Sequence, residues 1–181
     1  MRFLFARASA TPLQAAADRM HDALVHQIRT PFFYTDLHVP DTFEGRFDLL
    51  VLHAALVLRR LRDLGPDGQS LAQALVDLMF TRFDVALREL GVSDIGVPKR
   101  MKRLAEAFKG RTAAYEDALQ KQDEPALRDA ICRNVLGGTS DGTTLSRYAG
   151  ALEAALQSTP MPVLQQHGGI AFPDPARFVS R

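Results

Sequence analysis

The chain has no tryptophan and a single cysteine, Cys132. One cysteine excludes an internal disulfide. With no CxxC and no Cys/His cluster, a structural zinc site has no ligand set, and the usage fits a reducing compartment. Long apolar runs are missing too. The longest, Leu49 to Leu58, is interrupted by His53 and closed by Arg59 and Arg60, well short of the about 20 residues that cross a bilayer. The N-terminal run Phe3 to Ala6 is shorter than the roughly 7–15 apolar residues of an export signal. These absences read as a cytoplasmic chain, at most peripheral to the inner membrane at its cytoplasmic face. Net charge is scarce as well. A formal +1 excludes general polyanion binding, so any such role must come from a local patch.

Catalytic signatures are equally sparse. The histidines at 21, 26, 38, 53 and 167 form no HxxxH or HExxH pair. Gly137-Gly138 has neither the GxxxxGK[ST] nor the GxGxxG spacing and reads better as a helix C-cap. His167-Gly168-Gly169 superficially resembles an oxyanion loop, and a serine hydrolase is set aside on the expectation that no nucleophile elbow accompanies it. Without a nucleophile–base pair, a carboxylate dyad or a cofactor fingerprint, the expectation is a non-enzyme with no cofactor and no metal.

What the chain does contain is helical periodicity. Thr11 and Gln14 form a capping box with Pro12 at the first helical position, opening a helix whose stripe is Leu13, Ala17, Met20, Leu24 and Ile28. Pro31 ends it, and the connector PFFYTDLHVP reads as an extended segment pinned over the core. Asp41 and Glu44 form the next capping signature, for a helix running to Leu64 with Gly65 as its stop. This helix has one stripe of Phe43, Phe47, Leu50, Ala54, Leu58 and Leu61, and a second of Leu49, Leu52 and Leu56 bordered by His53. Two apolar sides place it at the centre of a bundle. His53 reads as a rim histidine hydrogen-bonded across helices; alternatively, the second stripe is an exposed contact surface.

Ser70 and Gln73 repeat the capping signature after the loop PDGQ, and the third helix runs to Leu90 with Gly91 as its stop. Asp84 and Arg88 sit on it as an i, i+4 pair, and Arg82 must either snorkel or find a partner. A fourth helix starts near Val97. A fifth begins at Asp123-Glu124-Pro125 and ends near Leu136, and a last covers about Thr144 to Gln157 before Pro160. Residues 1–10 and 159–181 read as extended or flexible, the latter laid partly on the bundle by Ile170 and Phe172. The expected architecture is all-α: a single-domain bundle of about six helices over residues 1–181, with an extended C-terminal tail.

The fourth helix is the densest feature. Met101, Leu104, Ala105, Phe108, Thr112, Tyr115 and Leu119 share one stripe at core-facing spacing. Lys99, Arg100, Lys102, Arg103, Lys109 and Arg111 occupy the rest, relieved only by Glu106. An ordinary solvated face is one reading of it, yet six cations against one Glu exceed the mixed-sign surface that solubility alone favours. Such a face suits ribosomal RNA, an anionic membrane or acidic protein segments, and the lack of interleaved aromatics argues against stacking on single-stranded bases.

Three segments then carry a family resemblance: VPDTFEGRFDLLVLH with Arg60-Leu61 after it, FDVALRELGVSDIGVPKRMKRLAEAFKGRTAAYEDAL, and AICRN. Over roughly residues 34–136 the chain resembles the ubiquinol–cytochrome c chaperone family in its alphaproteobacterial form, whose mitochondrial members assist cytochrome b during assembly of the respiratory bc1 complex. The matching family residues are His53, Arg60, Asp84, Arg88 and Gly91, then Lys99, Met101, Lys102, Phe108, Gly110, Arg111 and Tyr115. Where the family usually has an aromatic before Gly110, this chain has Lys109, which adds to the basic face.

The resemblance implies a non-catalytic assembly chaperone for newly made cytochrome b or another respiratory membrane subunit. It further implies work near the ribosomal exit and alongside a small co-chaperone. An exposed groove walled by Leu49, Leu52 and Leu56 and rimmed by basic residues is the expected client surface. The alternative is a ribosome-, RNA- or anionic-membrane-binding module acting through the face from Lys99 to Arg111.

Overall fold

Three of the α-helices described open on a side-chain cap, and several starts depart from the sequence reading. The computed structural model describes residues 11–166 and 169–179; the expectation for residues 1–10 lies outside them. Helix α1 (Pro12–Ile28) opens on the expected reciprocal box, the Gln14 N–H donating to the Thr11 hydroxyl at 3.2 Å and the Thr11 N–H to the Gln14 side chain at 3.0 Å. After it, the connector is not extended: Phe32–Thr35 forms a one-turn α2 that seats Phe33 wholly inside the core. Helix α3 (Phe43–Asp63) is capped by Thr42, whose hydroxyl accepts from the Gly45 N–H, and not by Asp41, which pairs with Arg46 instead. The Pro40 carbonyl packs so close that a Cβ at Gly45 would sit 2.0 Å from its oxygen.

The largest departure is at the next junction. The loop expected at PDGQ is already helical, because α4 (Gly65–Glu89) starts directly after Leu64. Gly65 has φ +79°, which reverses the chain in one residue, and a Cβ on Gly68 would meet the Leu61 carbonyl at 2.1 Å. Ser70 therefore lies inside the helix, where its hydroxyl donates back to the Pro66 carbonyl at 2.9 Å rather than capping.

Helix α5 (Gly96–Gln120) follows, then α6 (Glu124–Asn134), capped by Asp123, and α7 (Thr143–Gln157). Gly137 and Gly138 both have positive φ, as a C-terminal stop requires. The expected extended tail holds a short α8 (Met161–Leu164) and a 3₁₀ turn at Pro175–Phe178, with Ile170 and Phe172 packed on the bundle as expected.

Among the described residues the secondary structure is all helical, and α3 is its axle. Helices α1, α4, α5 and α7 all pack against it, and α6 bridges α5 and α7. From Phe47 to Leu58 every residue of α3 is buried. One continuous hydrophobic cluster joins α3 to all its neighbours. Leucines on α3 such as Leu49, Leu52 and Leu56, each worth about 1.5–3 kcal/mol on full burial, are therefore the fold's main support.

Candidate functional site

The second stripe of α3 is interior. Leu49, Leu52, Leu56 and His53 are all 0% exposed, so the expected open groove along them is corrected. A helix apolar on two sides in a four-neighbour setting has no face left for solvent. His53 is the polar centre of this interior. Its Nδ1 lies 2.8 Å from the Leu49 carbonyl, which can only accept, so Nδ1 carries the hydrogen. Nε2 then accepts from the Tyr148 hydroxyl at 2.8 Å, and that oxygen accepts in turn from Gln27 at 3.1 Å. Phe33 and Phe172 close over the ring, with centroids at 5.5 and 6.0 Å. Burial pushes the His53 pKa down to about 4 and the Tyr148 pKa up. This chain of bonds joins α1, α3 and α7.

Four further matched positions, Arg60, Asp84, Arg88 and Gly91, are also structural. Arg60 donates through Nε and Nη2 to the Thr159 carbonyl at 3.1 and 2.9 Å, tying α3 to the end of α7. Arg88 bridges Asp84, at 2.7 Å, and Asp94, which holds the α4–α5 turn. Gly91 has φ +78° in that turn. Arg82 reaches Asp18 at 3.4 Å while half exposed, resolving its placement as snorkelling with a partner.

The basic face of α5 is solvent-facing. Lys99, Arg100, Lys102, Arg103 and Lys109 are all exposed. Only Lys102 has an ion-pair partner among the described residues, Glu106 at a loose 3.9 Å. Arg111 is the exception to the expected set. It turns inward, 3.0 Å from Asp48 and with its guanidinium 5.6 Å from the Phe47 ring centre. Burial holds the Asp48 pKa up at about 6 even with this cation beside it. Tyr115 is wholly buried, its hydroxyl sealed beside Asn134. Ala105, assigned to the apolar stripe, is exposed instead, because α5 buries a narrower strip than its sequence offers. Between this face and α3 lies a groove of about 350 Å³, with Phe43, Phe47 and Leu104 in its wall and Arg100 and Arg103 at its mouth.

A larger cleft opens at the other end of α5. It measures about 1060 Å³ and lies between the ends of α5 and α3, the start of α6 and one face of α7. Sequence reasoning missed it. Its residues come from four separate stretches of sequence, the last of them Phe178 in the 3₁₀ turn, and the signals available were the glycine at 150 in α7 and the carboxylates around Asp123.

The sequence does hold one G-x-S-x-G match, Gly138-Thr139-Ser140-Asp141-Gly142, contrary to the expectation of none. It forms the turn between α6 and α7 with no strand leading into it, and the Ser140 carbonyl accepts from the Cys132 thiol at 2.8 Å. The strand–turn–helix context of a nucleophile elbow is absent there. His167 and Gly168 lie outside the described residues. No helix among the described residues is long and apolar enough to cross a membrane.

Comparison with known proteins places these surfaces in context. A family model described as Ubiquinol-cytochrome C chaperone matches residues 35–171. The crystal structure of the Cbp3 homolog from Brucella abortus superposes with a TM-score of 0.81 at 36% identity, over 92% of this chain and 93% of that one. The mouse ubiquinol-cytochrome c reductase complex assembly factor 1 is 24% identical over 61% of this chain and 38% of its own length. The yeast mitochondrial protein CBP3 is 30% identical over 59% of this chain and 32% of its own length. The matched region thus spans about a third of these two longer relatives.

Proposed function

The chain belongs to the ubiquinol-cytochrome C chaperone family, and we propose from that premise that it is a non-catalytic assembly chaperone for the cytochrome bc1 complex whose client is newly made cytochrome b. The observation that carries this reading is the family match over residues 35–171 together with the fold shared with the Cbp3 homolog. The matched residues divide into those that build the bundle and those left on its surface, as a binding protein requires. The chaperone works at the cytoplasmic face of the inner membrane, where a membrane-protein client emerges. Affinity capture from native membranes, with and without ribosomes, tests this. Cytochrome b is expected in the captured material, and its absence under both conditions sinks the reading.

A second reading rests on the unpaired cations of α5. Lys99, Arg100, Arg103 and Lys109 face solvent without ion-pair partners among the described residues. Such a face binds the phosphates of ribosomal RNA or of anionic lipids and so positions the chaperone. Salt titration of binding to ribosomes and to anionic vesicles separates this from apolar client binding, since phosphate contacts weaken steeply with salt. Shallow salt dependence on both targets removes the positioning role.

A further inference from the structure

The cleft between α5, α6 and α7 has a shape and a charge that point to one kind of occupant. Along α7, Ser146, Gly150, Glu153 and Gln157 line it at i, i+4, i+7 and i+11, one helix face about 16 Å long. The opposite face of α7, with Leu145, Tyr148, Leu152 and Leu156, is buried in the core. Phe178 of the 3₁₀ turn also lines the cleft, and Arg59 of α3 reaches Glu153 on this face of α7. Gly150 is exposed at its middle, and a Cβ there would meet nothing within 4 Å. A visiting helix can approach closely over a position without a side chain. Ala118 and Leu127, both buried, give the cleft an apolar floor.

The rim is acidic. Asp63, Asp123 and Glu124 are exposed around it. Glu153 takes both Arg59 and Gln157 on one carboxylate oxygen, at 2.9 Å each. Its other oxygen is buried with no hydrogen-bond partner among the described residues. The lining therefore carries four carboxylates, those of Asp63, Asp123, Glu124 and Glu153, against two guanidinium groups, those of Arg59 and Arg147. The positive end of α6 opens here, but Asp123 and Glu124 offset its partial charge of about half a unit.

We propose that this cleft holds the client, and that its occupant is a short helical segment with one apolar and one cationic face, flanking a membrane span. This rests on the chaperone reading. Membrane proteins concentrate Lys and Arg in the cytoplasmic segments beside their spans, so a chaperone waiting on that side meets positive charge next to apolar residues. An apolar floor inside a carboxylate rim complements both.

The test is a titration of the full chain with a labelled peptide of about 15 residues, roughly four turns, carrying Leu and Ala on one face and Lys and Arg on the other. The same peptide with Glu in place of Lys and Arg is the control. Wild type is expected to bind the cationic peptide only. Gly150→Trp, which fills the cleft from an open position, and the double variant Asp63→Lys/Glu124→Lys, which reverses two exposed rim charges, should each weaken binding about tenfold or more. Glu89→Lys, an exposed charge reversal at the far end of α4, should leave it unchanged. Equal binding by Gly150→Trp and wild type, or a preference for the acidic peptide, overturns the proposal. The rim variant keeps the test open if the tryptophan disturbs folding.

Capture of full-length cytochrome b separates this proposal from the reading beneath it. Failure of wild type to capture the client overturns the chaperone assignment. Capture undiminished in Gly150→Trp overturns the cleft alone.

Discussion

Helices α3 and α5 are both long, and both carry family-matched residues, yet they do opposite work. Helix α3 is packed by four neighbours and keeps its histidine in a closed hydrogen-bond chain, whereas α5 buries only Val97, Tyr115 and Ala118 and turns its cations outward. Matching a family pattern therefore does not by itself mark a contact residue. On α3 the matched His53 and Arg60 hold the bundle together. On α5 the matched Lys99 and Lys102 have no structural task that would explain them. Two ion pairs link the helices, the largely buried Asp48–Arg111 at 3.0 Å and the more exposed Arg62–Glu116 at 2.8 Å.

That contrast can be broken at its strongest point by Leu52→Ala. Removing a fully buried leucine from α3 should cost about 2–5 kcal/mol, read as a lower denaturant midpoint. A loss under about 1 kcal/mol would mean α3 is not the axle. Tyr148→Phe is next. It deletes the hydroxyl that satisfies His53 Nε2 and Gln27, and a buried acceptor left bare costs about 1–3 kcal/mol. Arg111→Ala should cost less, about 1–2 kcal/mol, because the pair is only partly shielded from solvent. Its loss should also raise the Asp48 pKa further, observable by carboxyl NMR.

The pH dependence sharpens the contrast further. His53 sits at about 4 in the fold against 6.5 free, so its contribution to stability is lost as pH falls from about 6.5 through 4. His21, lowered mainly by burial, acts in the same direction. Asp48 sits at about 6 against 3.8, so the stability it contributes is present at low pH and lost as pH rises through about 6. The two slopes oppose each other between about pH 4 and 6. Asp48→Asn should remove one of them, leaving a variant whose stability falls more steeply than wild type on acidification. Parallel profiles would show that Asp48 is not held neutral by burial.

The smallest effect on the fold is expected on α5. Lys102→Glu/Arg103→Glu should shift stability by no more than about 0.5 kcal/mol, while salt-sensitive binding to ribosomes or anionic vesicles disappears. An equal loss of stability and binding would erase the distinction between the two helices.

Much of this was legible in the residues. The Thr11–Gln14 box, the helix stops at Gly91 and Gly137-Gly138, and the central position of α3 all follow from short-range chemistry that a few neighbouring residues express. The seamless α3–α4 junction was hidden because PDGQ has turn composition. Only the reversal at Gly65 and the close contact of Gly68 with Leu61 reveal that it is a helix start. His53 was legible as special but not as interior. Its surroundings come from Phe33, Tyr148 and Phe172, which lie far from it along the chain.

The sequence by itself determined the all-helical class, the position of nearly every helix, the core character of α3 and the single-sign face of α5. Those properties are local, written in capping, periodicity and charge within a few turns. Only the tertiary structure decided that the second leucine stripe is sealed, that Arg111 leaves the basic face for Asp48, and that a cleft opens where α5, α6 and α7 converge. Burial, ion pairing and empty space depend on which distant segments meet, and helical periodicity records a face without recording what covers it.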